Sequence, residues 1–422
     1  MSKSSANIAD NTKNTKMSSK TKKVVKGKQQ KVKVGLKQTK LFDIKDSVVQ
    51  RMQKERFSLT CAPGGENHAG MEIIGRMPVK GEGLTAADME GLHPYFKERG
   101  DSNILNLNEL SGVAEILSLG AEHQARVVIM RNWVQHIIGE DATQQIYCEI
   151  AADEWDAEYL DKNKYRTEIV DGVETKVRGK RMNKRARTNL CYVAGREQEP
   201  DVMEGKGRIV DLKKKAILNK AVALLHQQIT SGLIEIGSDT KVEINVVEGN
   251  RYYDLKNTGI GFHGDTERVI VICISIGCDN YPMRWQWFKD GMPIGESVDI
   301  RLNCGDVYIM SEKAVGSDWK LRSLYTLRHA AGVKKYTSLD RWEKKRPAYE
   351  AKLKEKEEKR QRKVAEMFAK QAAKDAARAL KNKKLNSKQV KENDKTNKRK
   401  TTKGGVILHS MMQQQKEYYG GA

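Results

Sequence analysis

The stretch "GIGFHGDTER", residues 259–268, decides how this chain is read. It sets His263 and Asp265 two apart, after a glycine-rich approach and ahead of the apolar run "VIVICISIG". The whole chain holds only eight histidines. Side chains two apart on a strand project to the same side, so this imidazole and this carboxylate converge. A second imidazole from a neighbouring strand would complete a 2-His-1-carboxylate set, which holds Fe(II) and leaves coordination positions open. From residue 241 onward the texture favours such a neighbour. Short β-rich runs follow one another: "KVEINVV", "NRYYDL", "RVIVICISIG", "RWQWF", "ESVDIRL", "DVYIM", "SLYTLRHA", "KKYTSL". Glycine, Asn or Asp punctuates them, which predicts an antiparallel sandwich or barrel. The other histidine of this β-module is His329, in "SLYTLRHAAG". The competing readings are plain: a turn held by side-chain hydrogen bonds for His263 and Asp265, and a packed strand histidine for His329.

Around that module the composition shifts. The chain has 422 residues and a net charge of +22, much of it at its ends. Residues 1–40 hold twelve lysines and a single acid. Such a segment cannot bury enough apolar surface to offset its chain entropy and is expected to be disordered. Residues 345–400 are rich in Ala, Lys, Glu and Arg and predict a long charged helix running into a basic tail. Six cysteines show no C-x-x-C pair and no zinc spacing, which points to a reducing, intracellular setting. No apolar run approaches a membrane span, and the N-terminal stretch lacks the apolar core expected of a signal peptide. The N-terminal lysines fit a nuclear address or a nucleic-acid contact.

Upstream of the β-module, helices lead. "LTAADMEGLHPYFKERG" has an N-cap candidate in Thr85 and a stop at Gly100. "LNELSGVAEILSLG" predicts a second short helix. "ARVVIMRNWVQHII" begins as a buried strand and turns helical. "KAILNKAVALLHQQIT", residues 215–230, is an amphipathic helix with Ile217, Val222, Leu224 and Leu225 near one face. Two further features invite a function. Glu66 and His68 share a glycine-rich loop, "GENHAG". The run "RGKRMNKRARTN", with Arg185 and Arg187, packs basic groups that repel one another unless an anion lies near. Trp285, Trp287 and Phe288 in "RWQWF" suit the core side of a strand, or a stack for an unpaired base.

Residues 181–342 resemble the AlkB-like group of 2-oxoglutarate- and Fe(II)-dependent dioxygenases. "NRYYDLKNTGIGFHGDTERVIVICISIG" is similar to that family's N-x-Y, spacer, H-x-D-x-E, strand sequence, and "CGDVYIM" to its G-D-apolar-Met strand. "KRARTNLCYV" and "EPDVMEGKGRIVDL" resemble the segments that precede the family's core. His329 falls at the distal histidine. The family's two following arginines, six apart, correspond to Lys335 and Arg341. A rival register puts Arg322 and Arg328 there, but leaves no histidine upstream.

The resemblance implies an α+β protein with a double-stranded β-helix (jelly-roll) core and flanking helices. It implies Fe(II) on His263, Asp265 and His329, with 2-oxoglutarate and O2 as cosubstrates. Asn250 and Tyr252 would contact 2-oxoglutarate, and Lys335, Arg341 or Arg328 would face its distal carboxylate. The chemistry would be hydroxylation of a C–H bond with release of succinate. On an N-methyl base the product loses formaldehyde, which is demethylation. The expected layout is a basic tail at 1–54, a mixed α/β extension at 55–180, the dioxygenase core at 181–342, and a charged helix with basic tail at 343–422. Nucleic acid, DNA or RNA, is the expected partner. The rival classes are an oxygenase acting on protein or a small molecule, and a non-catalytic nucleic-acid-binding protein on a decayed core. If the tail at 1–40 anchors nucleic acid, its removal flattens the salt dependence of binding, because each lost phosphate contact lowers the slope. Equal slopes for intact and trimmed chains would exclude that role.

Overall fold

The computed structural model describes residues 46–68 and 70–393. Of the basic tail expected at 1–54, residues 1–45 lie outside the described residues, but 46–52 form a helix that buries Val48 and Met52, which corrects the expectation there; of the segment expected at 343–422, residues 394–422 lie outside the described residues. The chain forms two units, Met1–Thr337 and Ser338–Ala422.

The strands of the first unit are β1 Arg56–Ala62, β2 Gly64–Glu66, β3 Ile73–Gly75, β4 Ser102–Asn106 and β5 Arg126–Met130. A hairpin of β6 Glu158–Val170 and β7 Val173–Asn183 follows, then β8 Thr188–Val193 and β9 Ile209–Asp211. The rest are β10 Val246–Tyr252, β11 Gly259–His263, β12 Val271–Gly277, β13 Tyr281–Lys289, β14 Met292–Leu302, β15 Val307–Met310 and β16 Thr326–Gly332. Eight of them make one sheet in the order β4-β5-β15-β12-β1-β10-β8-β9, and four make a second, β11-β16-β13-β14. Only the β8–β9 pair of the larger sheet is parallel.

The strand β1 sits between β10 and β12, antiparallel to both. The boundary expected at residue 180 therefore falls within one sheet. Residues 55–180 supply β1, β4 and β5 to the core and are not an appendage to it.

The alternation of β1 shows why the layers form. Phe57, Leu59 and Cys61 are fully buried on one side, in a core shared with three helices. These are Ala86–Lys97, Ala142–Ala151 and Ala216–Glu235, which contribute Leu92, Ile146 and Leu225 among others. The opposite face of the large sheet gives Val127, Ile129, Val271 and Tyr308 to a second core. There Met283, Trp285, Trp287 and Leu327 of the smaller sheet meet them. The first unit is thus mixed α+β: a helical layer, a large mixed sheet and a smaller antiparallel sheet.

The helix Ala86–Lys97 starts where expected. Thr85 accepts from the Asp88 amide at 3.0 Å while the Asp88 carboxylate accepts from the Thr85 amide at 2.8 Å, a reciprocal cap. It ends at Lys97, before the expected Gly100. Three other expectations are corrected. "KVEINVV" and "NRYYDL" are not two strands, because β10 runs through Gly249. A Cβ there would lie 2.7 Å from the Trp155 ring, so the glycine marks a close approach and not a turn. "KKYTSL" is not a strand: residues Lys334–Thr337 are a helical turn, since the β16 ladder closes at the Gly259–Gly332 pair and Tyr336 folds back over Gly259. Trp285, Trp287 and Phe288 are all buried, and the Trp287 indole donates to Leu107 O at 2.8 Å, so none is open for a base to stack on.

The second unit contains the expected charged helix, Arg346–Asn393, whose described side chains are almost wholly exposed. Pairs four apart, Glu355–Lys359 and Glu366–Lys370, brace it. No helix among the described residues is long and apolar enough to cross a membrane.

Leu59 lies fully buried at the centre of the large sheet. Leu59→Ala should cost about 2–5 kcal/mol by leaving a cavity that flanking strands cannot close. A urea melt that shows a loss well below that range would place β1 at a yielding edge instead.

Candidate metal centre

The antiparallel ladder of β11 and β16 sets His263 directly opposite His329. Their ring centroids are 4.4 Å apart at 60°. Asp265 follows β11, its carboxylate 3.5 Å from His263 Nε2. Ligand atoms of His263, Asp265 and His329 all lie within 4.8 Å of one another. The intervening Gly264 is required by space: a Cβ there would stand 2.0 Å from the Gly316 carbonyl oxygen. The loop is held against that turn by the Asp265 amide, which donates to Val315 O at 3.2 Å.

Hydrogen bonding orients the imidazoles. His263 Nδ1 is 2.8 Å from Gly261 O and 3.1 Å from His329 O. Carbonyl oxygens only accept, so Nδ1 carries the proton and Nε2 keeps its lone pair on the side of Asp265. His329 is buried, and its Nδ1 has no hydrogen-bond partner. Burial first, then His263 and Arg268, hold its pKa well below the usual histidine range, so it is neutral. An orphaned imidazole nitrogen beside a second imidazole and a carboxylate is a donor set that fits a divalent transition metal.

A cavity of about 470 Å³ opens over these three residues. Its acidic wall is organised by Arg268, which is buried between Glu248, Glu267 at 2.7 Å and Asp265 at 3.6 Å. Burial works against the charge of this guanidinium, but the carboxylates, Glu248 foremost, outweigh it and raise its pKa well above the ordinary value. Across the cavity the "GENHAG" loop presents Glu66 and His68. The loop is pinned by Lys184, whose ammonium donates to Asn67 O at 3.3 Å. His68 stacks on Tyr159, at the foot of the β6–β7 hairpin, with centroids 3.9 Å apart.

The residues expected to hold 2-oxoglutarate divide. Asn250 and Tyr252 both line the cavity. Asn250 Oδ1 accepts from Arg187 Nε at 2.5 Å and from the Asn189 amide. Burial pushes the Tyr252 phenol up to about 12. Of the expected cations, neither Lys335 nor Arg328 joins them. Lys335 is exposed, its ammonium 5.4 Å over the Tyr336 ring. Arg328 follows strand alternation to the side opposite His329, where its guanidinium lies 4.1 Å over Phe288 and donates to Trp319 O. Arg322, of the rival register, is exposed. Arg341 belongs to the second unit and stacks on Trp342 at 3.6 Å. The basic run also divides: Lys184 is buried, Arg187 lines the cavity, and Arg178, Lys180 and Arg185 are exposed. The sequence reading missed Arg268 and Tyr281, both in the cavity wall. Only the first carried a signal, as the basic residue three after Asp265.

The chain was compared with known proteins. No family model matches it. It is 33% identical over 283 residues to "Uncharacterized protein R156" of Acanthamoeba polyphaga mimivirus, covering 67% of this chain and 98% of the viral protein. The chain belongs to the family of that viral protein. The match is too long to be confined to the 181–342 core and takes in strands or helices outside it.

Glu66 has a measurable consequence. Burial first, then Glu267 and Glu248, raise its pKa from 4.5 to about 7. An acid whose folded-state pKa is raised favours the fold while protonated and loses that contribution as pH rises through the shifted value. In metal-free protein, Glu66→Gln should therefore gain stability over wild type as pH goes from about 4.5 to about 7. A difference flat with pH would show that Glu66 is solvated.

Proposed function

We propose that this chain is an Fe(II)- and 2-oxoglutarate-dependent dioxygenase of the AlkB-like group that oxidises nucleic-acid bases, N-methylated bases first among them. The observation that carries this reading is the convergence of His263, Asp265 and His329 on one cavity, with the His329 nitrogen left unpartnered. The two facing sheets around that cavity suit a double-stranded β-helix, the architecture this reading requires.

His263, Asp265 and His329 would hold the iron, which supplies activation of O2 for oxidation of the substrate. The chain's own contributions are positional. The carbonyls of Gly261 and His329 keep the His263 proton on Nδ1 and its lone pair towards the centre. Arg268 holds Asp265 from behind and leaves it one further oxygen. The apolar inter-sheet core beneath His329 keeps water from that side.

The cavity favours a base over a phosphate. Asp265, Glu66, Glu248 and Glu267 line it together with Arg187, Arg268 and Lys320, and its carboxylate-rich side suits a flat neutral or cationic group better than a phosphate. The stacked His68–Tyr159 pair offers an aromatic surface at the same cavity. Phosphates would be met outside, by Lys176, Arg178 and Lys180, which alternate along β7 on one exposed face of the hairpin.

The test is succinate release from 2-oxoglutarate by anaerobically iron-loaded protein, with and without methylated DNA and RNA oligonucleotides. Turnover should rise with a methylated oligonucleotide and fall by about a hundredfold or more in His263→Ala, Asp265→Ala and His329→Ala, with loss of iron. Lys335→Ala should leave both unchanged. Full iron binding by His329→Ala would break the proposed ligand set. Turnover raised by peptides or small molecules and not by oligonucleotides would move the substrate to the rival oxygenase class.

A further inference from the structure

The helix Arg346–Asn393 sorts its charges by face. Between residues 352 and 381 it carries eleven Lys and Arg and five Asp and Glu. At 3.6 residues per turn, nine of the eleven cations fall within a sector of about 100°. They run from Lys352 to Lys381, interrupted by Met367 and Ala377 and with no acid among them. The opposite sector holds one cation, Lys354, and is mostly alanine. Every residue of this stretch is exposed, half-buried Val364 excepted.

The sorting works against the helix. Lys352, Lys356 and Arg360 are spaced four apart, as are Lys370, Lys374 and Arg378. Like charges at that spacing weaken a helix about as much as opposite charges brace it. Glu355 and Glu366 match Lys359 and Lys370 at 2.7 Å each, and Glu357 matches Arg360 at 3.6 Å. Lys352, Lys356, Lys363, Lys374, Arg378 and Lys381 form no ion pair among the described residues. A helix built only to stay soluble gains nothing from this, since both signs interspersed on every face serve it better.

At 1.5 Å per residue the stripe is about 44 Å long. Its partner must present closely spaced anions over several helical turns. A nucleic-acid backbone does so, with one charge about every 3.4 Å along each strand of a duplex. An anionic membrane would need an apolar seam beside the cations. The neighbouring sector does hold Leu353, Val364 and Phe368, but Glu357 and Asp375 share it and would be carried into the anionic surface. We propose that this stripe is a docking face for the phosphate backbone of nucleic acid, engaged without regard to base sequence. Phosphates give the six unmatched cations their counter-ions. The docking face belongs to the second unit of the chain and goes beyond the oxidation proposed above, since it binds whether or not the metal centre turns over.

The test is fluorescence anisotropy of a labelled DNA duplex with the full chain over a series of salt concentrations. Lys356→Gln/Lys363→Gln removes two cations from the stripe, and Lys354→Gln/Arg362→Gln removes two from outside it. The two variants have the same net charge, and glutamine is a comparable helix former, which circular dichroism checks. The stripe variant should bind less tightly. Its slope of log affinity against log salt should become shallower by about 1.8, from about 0.9 per lost phosphate contact. The control should keep the wild-type slope. Equal slopes for the two variants, whether both change or neither does, would overturn the proposal. So would a loss in the stripe variant seen with phosphatidylserine vesicles and not with the duplex.

Discussion

The register between β11 and β16 is the constraint on which the site depends. His263 faces His329 in that ladder. A slip of one residue would turn one imidazole to the far side of the strand, where Arg328 now packs on Phe288. Both ends of the pairing are closed by glycines. At one end, a Cβ on Gly332 would lie 2.6 Å from the Gly259 Cα; at the other, Gly264 is pressed against Gly316. On its second edge β16 is fixed by β13, where buried Trp285 stands opposite His329. The site is thus placed by backbone contacts too close for any side chain, which is why so many glycines surround so few candidate ligands.

Charge is the second condition. Asp265, Glu66, Glu248 and Glu267 crowd one cavity around Arg268. Arg268 is shared by Glu248, Glu267 and Asp265, while Glu66 is held protonated to higher pH by burial first and then by Glu267 and Glu248. A divalent cation beside Asp265 would supply the missing positive charge.

What could be read from the sequence was what depends on short range. Helix starts followed local capping chemistry, as at Thr85. His263 and Asp265 share a motif, and His329 was found because few histidines compete for the place. Three kinds of fact were hidden. One is strand pairing across long separations, which made residues 55–180 look like an extension when they complete the sheet. Another is the direction of cations. Lys335 and Arg328 have the right spacing, but helix formation at Lys334–Thr337 and alternation along β16 turn them elsewhere. The third is the burial of Arg56, which in sequence is one basic residue in "QKERFSL" and is enclosed only once β10 and β12 flank it. The β6–β7 hairpin was legible and went unread: Asp171 and Gly172 both take positive φ between the β-branched runs of "EIVDGVET".

The central place of β1 also governs how the chain is made. Its immediate neighbours come from far downstream, and the Arg56 side chain bonds a carbonyl 222 positions away. At ordinary synthesis rates that interval takes on the order of ten to forty seconds. Throughout it, an apolar strand with two unpaired edges waits on the ribosome for partners not yet translated. The helices Ala86–Lys97 and Ala142–Ala151 emerge first and share a core with Phe57 and Leu59, so they can shelter one face of the waiting strand. Both neighbours of β1 are in place only once β12 has been made, and the candidate metal ligands, the last of them on β16, follow the scaffold that positions them.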